Sequence, residues 1–394
     1  MIEKTKLINL YRLGDLSFLR CFIGSAAFFF ASPEEVHAEL RVGNSGAVAF
    51  GVESRWTHSS NIFRNSDELD DMIFELMPSI RYRFDQGAVR VDADAGVNMI
   101  RYDDFDSNDA DDIKTHIVIK FPYDDSGGKQ RYDIQLKGGY NENTLPNDSV
   151  QDIVQTDEIN FSANGRYYIS DLTFLKVGAE WLDQQSQTSG FEDMERIAVP
   201  IEVFYDYSQV LSYGFGYRYT ETNVVGDPPE ADSKDHALFL AAVGQLASSL
   251  SAEVRIGGQT REFSSTVYQD ETVFFAESLI KWVISDLTVV EFHLGNGFDT
   301  DLNGVSKETL FTEVGVQHQL SNKLRALTGV SYEDAKYSNN RDDDQFSLSI
   351  GAIYSLIEGQ FQIQGGLRYA DRDSSELRAD YDVMTVEIAL SYLF

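Results

Sequence analysis

Six aspartates fall in ten residues in "DDFDSNDADD", Asp103 to Asp112, and three more adjoin one another at Asp342, Asp343 and Asp344. Carboxylates so closely spaced are the hard oxygen ligands that Ca2+ or Mg2+ takes. Asp104, Asp106, Asp109 and Asp111 are the candidate ligands of the first run. Its match to a calcium loop is loose. Asp109 stands where the sharp turn wants glycine, and Thr115 where a bidentate glutamate belongs. Two readings stay open: acidic loops that are simply solvated, or divalent cations bridging these carboxylates to each other and to lipopolysaccharide phosphates.

Nucleophilic or hydrolytic chemistry is poorly served. Beyond residue 38 the histidines are His58, His116, His236, His293 and His318, and none sits in an H-E-x-x-H spacing. Neither a phosphate-cradling glycine loop nor a nucleophile elbow is present. His116 beside Thr115, or His293, come nearest to a hydrolase pair. Lone strand histidines are usually wall residues, so the reading is that the protein is not an enzyme.

The third set of charged residues is cationic and alternates with apolar ones. "FELMPSIRYRF" places Phe74, Leu76, Pro78, Ile80, Tyr82 and Phe84 on one face and Glu75, Arg81 and Arg83 on the other. The same parity gives an inner row of Arg81, Arg83, Arg90, Lys114, Lys120, Arg131, Lys137, Arg166, Arg218, Arg255, Arg325 and Arg368, interleaved with acids such as Asp92, Asp133, Glu202 and Glu277. Cross-strand ion pairs that stiffen a wall are one account of them. A water-filled lumen whose guanidinium rows offer anionic solutes stepping sites is the other.

Only strands can hold these rows. Period-2 alternation recurs from Gly46 to the terminal "MTVEIALSYLF". Short connectors fall near Asp85, Asp124, Ser170, Ser208, Ala247, Ser285, Ser321 and Glu358. Longer polar ones start near His58, Asp103, Glu142, Asp183, Glu221, Glu262, Asp299, Glu333 and Asp371. Eight short and nine long connectors predict about eighteen strands, an all-β, antiparallel, up-and-down transmembrane β-barrel with short periplasmic turns and long extracellular loops. A soluble sandwich would bury the apolar face instead, and a sandwich or secreted propeller is the competing architecture. Aromatics at strand ends (Trp56, Tyr82, Tyr102, Tyr140, Tyr167, Trp181, Tyr219, Trp282, Tyr332, Tyr369) read as interfacial girdles. An apolar last strand would leave a sticky edge in a soluble domain. It is expected here to be paired on both sides, its Tyr392 and Phe394 forming the signal that outer-membrane assembly machinery reads.

Charge is distributed unevenly. The nine long connectors (58–70, 103–112, 142–156, 183–194, 221–235, 262–271, 299–308, 333–344 and 371–380) hold 35 acids against 7 bases, which is 28 of the net −32. One rim of the barrel is therefore strongly acidic, which argues against nucleic-acid partners. Residues 1–38 read as a signal peptide: Lys4, Lys6, Arg12 and Arg20 precede "CFIGSAAFFFA", and Val36-His37-Ala38 offers a cleavage site. A short membrane anchor is the alternative. Cys21, the sole cysteine, lies inside this segment, so residues 39–394, a single barrel domain, contain no thiol. No globular plug is expected before the first strand. "GDPPEADSKD" (Gly226 to Asp235) and the 142–156 connector are the candidates for an inward constriction.

One stretch carries family information. In "RWTHSSNIFRNSDELDDMIFELMPSIRYRF" a strand ends in an aromatic, Asn61-Ile62-Phe63-Arg64 and an acidic run follow, and then a strand holds Leu76-x-Pro78 and Tyr82. This resembles the putative β-barrel porin 2 family of outer-membrane proteins, often associated with exopolysaccharide synthesis loci. The resemblance implies a bacterial outer-membrane barrel that, like at least some relatives, exports polysaccharide with an export complex. The expectation is thus an outer-membrane channel embedded in lipid and lipopolysaccharide. A general diffusion porin and a non-conducting structural or adhesive barrel are the alternatives.

Overall fold

A computed structural model describes residues 40–43, 45–122, 130–148, 150–225, 232–265, 268–357 and 360–394. The expected signal peptide with Cys21, and residues 226–231 of the double-proline connector, lie outside them. A short strand β1 (Leu40–Val42) leads into β2 (Gly46–Ser59), β3 (Asp71–Gln86), β4 (Val89–Tyr102), β5 (Ala110–Phe121), β6 (Tyr132–Asn147) and β7 (Asp152–Tyr168). Next come β8 (Thr173–Ser186), β9 (Asp193–Asp206), β10 (Leu211–Val225), β11 (Ser233–Ala247), β12 (Leu250–Phe263) and β13 (Glu271–Ser285). The chain finishes with β14 (Thr288–Thr300), β15 (Ser306–Gln319), β16 (Leu324–Tyr337), β17 (Asp342–Ile357), β18 (Phe361–Ser374) and β19 (Tyr381–Leu393).

Every strand from β2 to β19 pairs antiparallel with its sequence neighbours, and β19 pairs with β2, so eighteen strands form a closed ring. The seam runs from Thr385 opposite Ser59 to Leu393 opposite Gly51. Phe394 and Phe50 then exchange both backbone hydrogen bonds, 2.8 and 3.0 Å. The apolar last strand is thus paired on both sides. Beyond the seam β1 covers the start of β2, Leu40 facing Val48.

The alternation sorts the side chains into two faces throughout the ring. Phe50, Val52 and Trp56 on β2 share a face with Ile80, Pro78 and Phe74 on β3 and with Tyr392 and Ile388 on β19. The other face carries Arg55 opposite Glu75, Arg81 opposite Asp94, and Arg90 opposite Lys120. The first face is the outside. Phe215, Leu238, Leu240, Phe274, Ile350 and Ile388 are all exposed there, a contiguous apolar belt of the size that marks a membrane-facing surface. Rings at the expected girdle positions Trp56, Tyr167, Trp282, Tyr332 and Tyr369 are exposed on the same side. Tyr102 is a correction. It points inward, 6% exposed, and packs with Ile62, Ile100 and Ile153.

The strands outrun the predicted connectors on the long-loop side. β6 and β7 continue through most of 142–156, and β16 and β17 leave only four residues, 338–341, between them. Polar strand ends above the bilayer still form ladder hydrogen bonds, so a fall in hydrophobicity does not end a strand.

Candidate functional site: a charged, narrowed lumen

A ring of eighteen strands is wide enough to hold water rather than a packed core. Here one side of the interior is partly filled. Phe174, Phe204, Phe239 and Phe275 all face inward and form a buried ridge, with the Phe174 and Phe204 rings stacked at 5.0 Å. Glycines make room for it: a Cβ would lie 2.6 Å from the Phe204 ring at Gly214, and 2.4 Å from Phe239 at Gly216. Arg218 lies 5.4 Å from the Phe275 ring centre and Arg166 5.8 Å from that of Phe174, so the ridge is roofed by guanidinium groups. No apolar period announced this ridge, because its rings alternate with outward residues that are equally apolar.

The inner cations are largely paired. Arg255, its side chain 6% exposed, touches Glu253 at 2.6 Å, Glu202 at 3.1 Å and Glu277 at 4.0 Å. Arg218 donates twice to Glu277, at 2.7 and 3.1 Å. Arg166 pairs with Asp133, and Asp92 accepts from both Arg83 and Arg90. Parity also places Arg81, Lys114, Lys120, Lys137, Arg325 and Arg368 on the inner face. Arg131 is a correction. It precedes β6 at the short-turn end, and its guanidinium sits 5.5 Å from the centre of the outward Tyr167 ring, bonding that hydroxyl at 2.9 Å. Parity cannot place a residue beyond the last paired position.

Two hairpins fold into the mouth. The first is β14–β15. β13 and β14 are paired only up to Ala276 opposite Asn296. Above that, β14 leaves β13 and passes inside it to β12, where Arg261 donates to Asp299 O at 2.8 Å and to Ser306 Oγ at 2.7 Å. The Asp301 carboxylate accepts from Asn303 and Val305 N at 3.0 and 2.8 Å, tightening the turn. Gly304, at φ 73°, adopts a left-handed conformation 2.8 Å short of Val224 for any Cβ. The turn then reaches β9, where Glu192 N donates to Leu302 O at 2.9 Å and Arg196 bonds Asp299 at 3.0 Å.

The second is the β6–β7 tip, one of the two segments the sequence nominated. Leu145, Pro146, Ile153 and Val154 are apolar although they lie beyond the membrane span. Ile153 buries against Ile62, Ile100 and Tyr102. Burial of Ile62 and Ile153 stabilises the inward position by roughly 1.5–3 kcal/mol each. Asp112 fixes the stem, accepting from Thr144 N and Oγ1 at 2.9 Å each. At the tip Asp148 accepts from Arg64 at 2.7 Å and from the Tyr381 hydroxyl at 2.7 Å. The Asn61-Ile62-Phe63-Arg64 stretch is therefore the partner of this tip rather than a surface loop.

Burial alone would raise the Asp148 pKa, but Arg64 and Arg372, with the two hydrogen bonds, hold it well below the usual carboxylate range. A depressed carboxylate contributes stability above its unfolded value of about 3.9, and loses it only as pH falls through the lower folded value. The tip is therefore expected to stay docked from neutral pH to about pH 4. Asp148→Asn removes charge-assisted bonds worth about 1.5–3 kcal/mol, which shifts the docked-to-free ratio by roughly tenfold or more. Current recordings across planar bilayers check both: steady current for the parent down to that pH, larger and noisier current for the variant at neutral pH.

The acidic runs are dispersed by the strands. Asp104 donates its backbone N to Asp71, Asp106 opens a 3-10 turn, Asp109 caps Tyr102 N at 2.9 Å, and Asp111 pairs with Arg101 at 2.7 Å. Among the described residues no three Asp, Glu, His or Cys side chains gather as a metal-ligand group. Asp343 turns inward to Arg341 and Arg372, whereas Asp344 bonds the outward Tyr332. Thr115 and His116 sit on opposite faces, Thr115 bonded to Tyr140 O and His116 3.5 Å from Asp94, so they form no pair.

No curated protein matches the sequence. Among solved structures, Acinetobacter baumannii OccAB4 is similar at 12% identity and a TM-score of 0.50, over 89% of this chain and 98% of that one. Pseudomonas aeruginosa OccK2 (OpdF) is similar at 10% identity and a TM-score of 0.50, over 89% and 97%. At such identities the likeness speaks to the fold. The matched family segment begins in β10, so it excludes the Asn61–Arg64 stretch on which the resemblance was read. With a closed ring, an apolar exterior and a charged interior, the chain is a porin-like β-barrel of the outer membrane whose residues 218–392 match the model described as Putative beta-barrel porin 2.

Proposed function

We propose that the barrel is a passive, narrowed channel for small hydrophilic solutes that favours cations over anions. The observation that carries this reading is the contrast between wall and mouth. Inner guanidinium groups such as Arg255, Arg218 and Arg166 are engaged by carboxylates, so they are poor stepping sites for anions. The long connectors carry the unbalanced acids, 35 against 7 bases. Fixed negative charge around a low-dielectric opening concentrates cations there. The two inward hairpins make the passage narrower than the ring itself, and a polysaccharide strand would have to displace them. Polymer export therefore needs a further event, whereas solute diffusion does not.

Reversal potentials in a potassium chloride gradient test this. The sign expected is that of cation preference, weakening at high salt as the rim is screened. Anion preference, or no conductance, overturns the proposal.

A further inference from the structure

A cavity lies between the β6–β7 tip and the wall made by β2, β3, β18 and β19. We propose that it binds small zwitterions, aliphatic solutes with a carboxylate at one end and an ammonium at the other. The proposal deepens the channel reading by naming the class of solute its narrowed part takes.

Two charges in this cavity are under-satisfied and of opposite sign. Arg368 faces inward on β18, and among the described residues it forms no ion pair. Its hydrogen bond is a long one, 3.5 Å to Ser347 Oγ. The acid that most offsets its charge, Asp148, is already held by Arg64 and Tyr381. Glu387 faces inward on β19, accepts no hydrogen bond among the described residues, and has Arg55 at 3.6 Å as its ion partner.

Arg55 is shared by three carboxylates, since Glu53 lies at 2.7 Å and Glu75 at 3.4 Å. Three carboxylates against one guanidinium leave an excess of negative charge at that end. Arg368 stands opposite Thr385, and Glu387 stands opposite Gly366. The two are therefore offset by one inward row, about 7 Å along the strands, and they form no pair with each other. Around them Ile73, Leu145, Pro146 and Val383 line the same cavity. An ammonium can enter the Glu387–Glu75 end and a carboxylate can take the Arg368 fork, with methylene groups against the apolar patch. A solute with one charge satisfies only one end.

Equilibrium dialysis of the full barrel in detergent, with radiolabelled γ-aminobutyrate as the probe, reads the site without requiring conduction. Unlabelled butyrate and butylamine are the single-charge competitors. The zwitterion is expected to bind about tenfold or more tightly than either, one charge-assisted contact being lost with each. Arg368→Gln is expected to weaken γ-aminobutyrate and butyrate and spare butylamine. Glu387→Gln is expected to weaken γ-aminobutyrate and butylamine and spare butyrate. Arg368→Lys, which keeps the charge, should restore part of the binding and shows that the site, not the fold, was lost. Equal binding of the three probes, or unaltered binding in both variants, overturns the proposal. Conductance without binding refutes the site alone, and binding without conductance refutes the channel alone.

Discussion

Replacing Arg255 by methionine is expected to destabilise the folded barrel by about 3–5 kcal/mol, the cost of breaking a buried ion pair from one side. The side chain is held by Glu202, Glu253 and Glu277 and lies 6.0 Å from the Phe239 ring centre. Its removal leaves three inward carboxylates on β9, β12 and β13 facing one another, with Arg218 as the remaining neighbour of Glu277. Restoring balance should restore stability. Arg255→Met combined with Glu253→Gln and Glu202→Gln is expected to recover most of the loss. Urea titrations in detergent, read by the gel shift between folded and unfolded barrel, measure both variants. A single substitution that costs nothing would mean that this part of the interior is wet enough to solvate the acids.

The second large effect belongs to the outer face. Leu240 lies at the middle of β11, 61% exposed, beside Phe215 and Ile256. Arginine there would sit near the bilayer midplane, where it costs about 2–4 kcal/mol. The same substitution at Gln364, which faces inward near the short-turn end of β18 opposite Ala389, should leave stability nearly unchanged and alter ion selectivity instead. Folding into liposomes, titrated with urea, gives the two costs side by side. Equal costs would remove the distinction between the faces.

Much of this arrangement is legible in the amino-acid order because a strand's period is two and neither face of a wide barrel is ambiguous. Arg81, Arg166 and Arg255 fall on the inner face by parity alone, and the short connectors near Asp85, Ser170, Ser208, Ala247, Ser285 and Ser321 mark turns, those at Asp124 to Lys129 and Glu358-Gly359 lying outside the described residues. What parity misses has three physical sources. Arg131 lies beyond a paired position, so alternation no longer governs it. Arg372, assigned to a connector, belongs to β18 and faces Tyr381, because the ladder continues into polar sequence. The inward hairpins are tertiary events. The signal for one was present in apolar residues stranded within polar connectors, Ile62, Phe63, Leu145 and Ile153, which have no lipid to meet at that height. For the β14–β15 hairpin the cue is weaker: Gly295, Gly297 and the Asp301-to-Gly304 turn loosen one strand and tighten its end.

Single cysteines along β18 in a Cys21→Ser background test the assignment of faces most directly. Residues 362, 364 and 368 should react with a membrane-impermeant maleimide added from the aqueous phase, whereas 363, 367 and 369 should be shielded and quenched instead by brominated lipid. Reaction at every position, or the opposite alternation, would contradict the account.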